Sequence, residues 1–307
     1  MAAATKLNHL KFKIGLDVGG TKIEIAALDL DRRTLERRRV ATPEGDYHAI
    51  LAAIKTLIDK TEQALGAQAS IGVATPGSLS PATGLLRNSN SICLNGKPFK
   101  QDLERALGRS VRIANDANCF ALSEAVDGAA AGAAVVFGVI LGTGVGGGVV
   151  VDGKVLTGVN RTAGEWGHNP LPAMRDDERP GPLCYCGRFG CIETFLSGPG
   201  LSAHHQRVNG AALRVEAIVE RASGGDPVCE ATLSRYEERL ARALAGVINV
   251  LDPDVIVLGG GLSNLDRLYA NVPRLLEPHV FSDLVRTRVV KNSHGDSSGV
   301  RGAAWLW

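Results

Sequence analysis

The sequence predicts an α/β fold built from two related units, and three observations carry that prediction. A strand–glycine loop–strand pattern opens the chain at 14–28 and returns at 135–151. Strand and helix periodicities alternate along the chain. Glycine, at 37 of 307 residues, lies largely in a few dense loops, and no low-complexity linker interrupts the pattern.

In "FKIGLDVGGTKIEIAALDL", Ile14 and Leu16 lead into Gly19-Gly20-Thr21. Ile23 and Ile25 then alternate with Lys22 and Glu24, the period of a strand. Residues 46–65 place Tyr47, Ile50, Leu51, Ile54, Leu57, Ile58 and Leu65 at helical spacing. "SIGVATPG" (70–77) and "SVRIAND" (110–116) read as short buried strands, each ending in a turn. A helix over 117–130 is expected to cross between the units, which puts the domain break after Asp116.

The second glycine hairpin, "LGTGVGGGVVVDG" (141–153), poses an alternative. Gly142, Gly144 and Gly147 match the dinucleotide fingerprint G-x-G-x-x-G after the apolar run Val135–Leu141. That fingerprint works by presenting a helix N-terminus to a pyrophosphate. Here Val149, Val150 and Val151 run into Asp152-Gly153, a strand closed by a tight turn. The lone fingerprint is therefore weak support for NAD. Downstream, residues 233–251 put Leu233, Tyr236, Leu240, Leu244, Val247, Ile248 and Leu251 on one helical face. "DVIVLGGGLSN" reads as a strand, three glycines and a helix start. "GDSSGVRGAAWLW" reads as a capped terminal helix packing its tryptophans.

Composition narrows the classes. At 45% hydrophobic and 21% charged, the chain can bury two sizeable cores. A net charge of +2 gives no electrostatic case for nucleic acid or an anionic membrane. No apolar run approaches the ~20 residues of a membrane helix. "MAAATKLNHLKFKIG" has no signal-peptide core, so the expected location is cytoplasmic. A disulfide framework is not expected from the six cysteines there.

Several residues carry chemistry. Two glycine hairpins can cradle phosphates, because bare backbone lets N–H groups approach phosphate oxygens; a tight turn is the plainer reading of either alone. No G-x-x-x-x-G-K-[ST] is present, which excludes a P-loop. Asp116 ends an apolar strand before a helix, where it is either a helix N-cap or a carboxylate available to accept a proton. His168, Cys184, Cys186 and Cys191 form one imidazole–three thiolate set, suited to a closed structural zinc site. Buried free cysteines or a redox pair are the alternatives. Cys93, Cys119 and Cys229 read as ordinary thiols.

"DVGGTK", "NDAN", "GTGVGGG", "EWGH", "CYCGRFGCIE" and "LGGG", in that order, resemble the ROK group (repressors, open reading frames, kinases), over residue 14 to the C-terminus. The resemblance implies an actin/hexokinase-like (ribonuclease H-like) two-lobed fold with a central cleft. Residues 1–116 would form the small lobe, with a helix over about 296–307 returning to it; 117–295 would form the large lobe with the zinc site. It implies an ATP:sugar phosphotransferase with Mg²⁺ and structural Zn²⁺. Asp116 would be the catalytic base. Gly77, Asn90, Asn115, Glu165, His168 and Glu193 would bind sugar. Asp17, Gly19, Gly20, Thr21, Lys22, Gly142, Thr143, Gly144, Gly146 and Gly147 would hold the nucleotide phosphates and Mg²⁺, with Gly259, Gly260 and Gly261 on the adenosine side. With His168 on the metal, its other nitrogen would face a sugar hydroxyl. The DNA-binding domain of the family's repressors is not expected ahead of a first loop near residue 17. "TAGEWGHNPLP" and "HGDSSGVRGAAWLW" are similar to the family's fructokinase branch. Fructose is therefore the expected substrate, with glucose, mannose or an N-acetylhexosamine as alternatives and a non-catalytic sugar-responsive regulator less favoured. N-acetylglucosamine is expected to be poor, because its acetamido group needs extra space. Partners would be sugar and ATP, without nucleic acid or membrane; relatives are often dimers, so a homodimer is the oligomer to test.

Overall fold

Alternation in "FKIGLDV" becomes strand β1 (Phe12–Val18) in the computed structural model, which describes residues 11–307. Phe12, Ile14, Leu16 and Val18 enter a core, whereas Lys13, Gly15 and Asp17 take the opposite face. β1 pairs antiparallel with β2 (Lys22–Asp29), Asp17 opposite Glu24, and β2 with β3 (Thr34–Ala41). β4 (Ser70–Thr75) lies parallel to β1, and β5 (Arg112–Asn115) parallel to β4, giving the order β3-β2-β1-β4-β5.

Helix α1 (Tyr47–Leu65) starts where the Asp46 side chain accepts the Ala49 N–H and stops at Gly66 in the left-handed region. Its Tyr47, Ile50, Ile54, Leu57 and Ile58 pack on the core face of the sheet, with Phe99 and Leu103 of α2 (Phe99–Leu107). The other face receives α3 (Asp116–Val126) and the terminal helix α9 (Ser298–Ala304). These contacts are made on bare backbone. A Cβ on Gly15 would lie 1.9 Å from the Val300 carbonyl oxygen, and one on Gly302 would lie 1.7 Å from that of Cys119. Ser297 makes no side-chain cap on α9, contrary to expectation. Trp307 does pack as expected, donating its Nε1–H to the Ile71 carbonyl at 2.7 Å.

This first unit comprises the described residues through Ala131, Gly153–Ala163 and Asp296–Trp307. The division falls after Ala131 rather than after Asp116. The expected crossing helix instead ends at Val126, and α3 has extensive contacts with α9 inside this unit.

The second unit, Gly132–Asp152 with Gly164–Gly295, repeats the pattern. β6 (Val135–Leu141) and β7 (Val145–Val151) are antiparallel. β8 (Val255–Gly259) runs parallel to β6, and β9 (Arg288–Lys291) parallel to β8. Asp152 and Gly153 both have positive φ, as the two central residues of a type I′ hairpin turn require. α4 (Glu193–Leu196), α5 (Gly198–Asn209), α6 (Val215–Ser223), α7 (Pro227–Leu251) and α8 (Arg267–Leu276) build the core on this sheet. α7 buries Leu233, Tyr236, Leu240, Leu244 and Ile248. It begins earlier than its apolar periodicity, because Asp226 caps it and Pro227 opens it. Glu178, fully buried, is neutralised by Arg239 and Arg242 from that helix at 2.8 Å each. Two units, each with antiparallel strands extended by two parallel ones, define the α/β, actin/hexokinase-like fold. Among the described residues, no helix is long and apolar enough to cross a membrane.

Candidate active site

In the first unit, three predicted segments leave the C-terminal ends of the parallel strands β1, β4 and β5: the loop Asp17–Lys22, Pro76-Gly77, and Asn115-Asp116. Ligands of open α/β sheets bind at such ends. The Gly19–Thr21 turn is closed by the Gly19 N–H on the Lys22 carbonyl at 2.9 Å and anchored by the Thr42 hydroxyl on the Gly19 carbonyl at 2.7 Å. Gly20 and Thr21 are exposed, and Gly20 carries no side chain to obstruct approach to the backbone.

Asp17 is half-buried. Burial first, then the Asp116 and Glu24 carboxylates, push its carboxyl up to about 6. Glu24 is held low by Arg37 and Arg39, the latter at 2.6 Å, against the cost of its burial. Asn115 supplies the cap of α3, accepting the Ala117 N–H at 2.8 Å. Asp116 is thus the first residue of the helix rather than its cap, although its Oδ1 also accepts that N–H at 2.8 Å. Asn115 Nδ2 donates to the Gly77 carbonyl at 3.2 Å, so two predicted sugar residues brace each other. Gly77 has φ 80°, and a Cβ there would meet the Arg87 carbonyl at 2.2 Å. Asn90 is exposed in the following loop.

In the second unit, Gly142–Gly144 follows β6 and Gly260–Gly261 follows β8, the ends of adjacent parallel strands. A Cβ on Gly260, which has φ 81°, would lie 2.4 Å from the Leu141 carbonyl oxygen, so the two loops approach on bare backbone. Gly261 opens a 3-10 turn, Gly261–Asn264, where a helix start was expected. Gly146 and Gly147 lie within β7, not in the loop. A Cβ on Gly147 would be 2.7 Å from the Gly164 carbonyl oxygen and from Trp166, whose Nε1–H bonds the Gly146 carbonyl at 2.9 Å. This close approach seats the turn carrying Glu165 and His168 on the strand. Glu193 reaches the glycine loop itself: its Oε2 accepts the Val145 N–H at 3.0 Å.

The ligand atoms of His168, Cys184, Cys186 and Cys191 all lie within 4.8 Å of one another. His168 Nδ1 is 3.6 Å from Cys184 Sγ, and Cys186 Sγ is 3.6 Å from Cys191 Sγ. Tetrahedral zinc with bonds of ~2.3 Å to sulfur sets its ligand atoms about 3.8 Å apart, so the residues present fit that ion. A turn at Gly187, closed by Cys184 N–H on the Arg188 carbonyl at 2.8 Å, presents the cysteines. The Arg188 backbone N–H, first among several groups, holds Cys186 down to about 6, whereas burial raises Cys184 and Cys191. His168 Nε2, expected to face a sugar hydroxyl, lies 2.9 Å from the hydroxyl of Tyr185.

A sheet repeated in two units, with glycine loops and paired carboxylates at the strand ends, defines a class of phosphoryl-transfer enzymes. Comparison with known proteins gives the family. The ROK family profile matches residues 13–307. The chain is 43% identical over 300 residues to the N-acetyl-D-glucosamine kinase of Erwinia tasmaniensis, covering 95% of this chain and 98% of that one. Among solved structures, the ROK hexokinase from Thermus thermophilus is 29% identical with a TM-score of 0.86, covering 96% and 97% of the two chains. A ROK glucokinase from Streptomyces griseus, in complex with glucose and AMPPNP, is 28% identical with a TM-score of 0.74, covering 96% and 98%. The chain belongs to the ROK family and is a sugar kinase.

Proposed function

We propose that this kinase transfers the γ-phosphoryl group of ATP to a hydroxyl of an N-acetylated hexosamine, N-acetylglucosamine first. The observation that carries the sugar is the 43% identity, across nearly the full length of both chains, with an N-acetyl-D-glucosamine kinase. That likeness moves the preference from fructose, favoured by the motif run, to the acetylated sugar. The glucokinase complex with AMPPNP supports ATP as the donor.

The roles follow from placement. Asp116, beside the β5 strand end, accepts the proton of the attacking hydroxyl as the phosphoryl group moves. Asn115, Gly77 and Asn90 bind sugar hydroxyls, as do Glu165, His168 and Glu193. The Gly19–Lys22 and Gly142–Gly144 loops, with Thr21 and Thr143, donate hydrogen bonds to phosphate oxygens. Gly259–Gly261 adjoins the adenosine. Asp17 would hold magnesium, which would supply neutralisation of the phosphate charge. Zinc, held by His168, Cys184, Cys186 and Cys191, fixes the segment carrying the sugar-reading residues. The cytoplasm is the compartment we assign.

The test is ADP release with ATP and Mg²⁺ across N-acetylglucosamine, N-acetylgalactosamine, N-acetylmannosamine, glucose, mannose and fructose. N-acetylglucosamine should give the highest kcat/KM. A higher value for fructose restores the motif-based assignment, and no turnover of any sugar removes the kinase roles.

A further inference from the structure

Ser89 is 6% exposed, yet it lies in a loop, outside any strand or helix that could pair its backbone. The Asn95 side chain pairs both of its backbone groups. Asn95 Oδ1 accepts the Ser89 N–H at 2.8 Å, and Asn95 Nδ2 donates to the Ser89 carbonyl at 2.8 Å. An N–H can only donate and a carbonyl only accept, so this fork needs an acceptor and a donor on one planar group, which is an amide. A buried backbone group left unpaired costs as much as a lost hydrogen bond, so the fork holds Ser89 in place.

Ser91 is anchored on the other side. Its N–H donates to Ser89 Oγ at 3.1 Å, and its carbonyl accepts the Leu94 N–H at 3.0 Å. Leu94 is fully buried in the core of the first unit. Asn90, exposed, is the residue between the two anchored serines. The start of this loop rests on the turn after β4: a Cβ on Gly77 would lie 2.2 Å from the Arg87 carbonyl oxygen and 2.8 Å from the Ser89 nitrogen. The Gly77 carbonyl in turn accepts from Asn115 Nδ2. Asn95 thus sets where Asn90 stands relative to Gly77 and Asn115.

We propose that Asn95 is a positioning residue for sugar binding: its amide, forked on both backbone groups of Ser89, holds Asn90 where it meets a hydroxyl of the hexose. Asn95 acts through Asn90 and not on the sugar itself. This rests on the sugar-kinase reading above and on the place of Asn90 in it.

A double-mutant cycle tests it, run on N-acetylglucosamine and on the preferred hexose of the panel if that differs. The proteins are wild type, Asn90→Ala, Asn95→Ala and the double variant, with thermal melts on each. Each single change should raise the sugar KM about three- to tenfold, the loss of neutral hydrogen bonds. The ATP KM and kcat should stay within about twofold. The double variant should be no worse than the worse single one, because both changes remove the same contact. Asn95→Asp keeps the acceptor for the Ser89 N–H but sets a carboxylate against the Ser89 carbonyl. It should raise the sugar KM as well, and it completes the cycle if Asn95→Ala does not fold. Multiplying effects in the double variant overturn the proposal, since Asn95 would then act independently of Asn90. An unchanged sugar KM in either single variant overturns it too. Equal changes in sugar KM, ATP KM and kcat count against it, because a general loosening of the unit would explain them. If another hexose is preferred, only the substrate assignment fails, and the cycle on that hexose still decides Asn95. No turnover of any sugar by wild type fails the kinase reading, and this proposal with it.

Discussion

The Glu193 carboxylate accepts the Val145 N–H at 3.0 Å, and a Cβ placed on Gly144 would lie 2.7 Å from the same oxygen. A residue assigned to the sugar is therefore fastened to the loop assigned to phosphate. Gly144 does not have a positive φ, so alanine is conformationally allowed there, and the group it meets is the end of a flexible side chain. Gly144→Ala should fold normally but push Glu193 off the loop. Both the sugar KM and the ATP KM should rise, by roughly threefold or more for a displaced charge-assisted hydrogen bond. A variant that changes only one of the two constants separates Glu193 from one of its assigned neighbours.

The same pair shows what could be read from sequence. Both hairpins were legible, because a period of two flanking a glycine cluster has few other meanings. The strand-end position of Asp116 was legible too, though Asn115 and not Asp116 caps α3. The job of Gly147 was not, since its reason is a carbonyl at Gly164 and a ring at Trp166, neither a sequence neighbour. The bare faces of Gly15 and Gly302 were hidden likewise: each exists to admit backbone from a distant helix. α2 escaped because it is short and half polar, and the start of α7 because its cap lies before its apolar face.

Asp17 predicts a pH dependence. Its carboxyl is raised from 3.8 to about 6, by burial first and then by Asp116 and Glu24. The native state keeps a proton that the unfolded chain has lost between those values. Stability is thus penalised increasingly as pH rises from about 4 to about 6, and the penalty persists above. Asp17→Asn removes it. The variant should be more stable than wild type at pH 7, by about 3 kcal/mol, and hardly more stable at pH 4, while its phosphoryl transfer falls. Thermal melts at the two pH values check this; an equal shift at both would refute the titration.

Asp116→Asn keeps the side chain's shape and its bond to the Ala117 N–H, but the amide cannot take the hydroxyl proton. Turnover should fall by ~10²-fold or more, with sugar affinity nearly unchanged, because the lost interaction exists only as the phosphoryl group moves. Near-normal turnover in a folded variant would assign the base elsewhere.

The metal cluster predicts about one zinc per chain, the number a single four-ligand site holds. Three sulfurs and an imidazole within 4.8 Å of one another, two of the thiols buried, are costly to hold as thiolates without a cation between them. Cys186 is the exposed member, so Cys186→Ala removes a ligand without opening a core cavity. Zinc should be lost by elemental analysis. Hydrogen exchange should then quicken across 182–193, because Cys184 and Cys191 no longer share an anchor with His168. The Glu193 side chain is intact in this variant, and so is Glu165, yet sugar affinity should drop as their orientation relaxes. Thermal stability should fall only modestly, since the apolar core around Phe137, Leu196 and Tyr236 is untouched. A zinc-free Cys186→Ala protein with wild-type sugar affinity would show that the hairpin holds its shape on backbone hydrogen bonds alone, and would remove the metal from any part in positioning Glu165, His168 and Glu193.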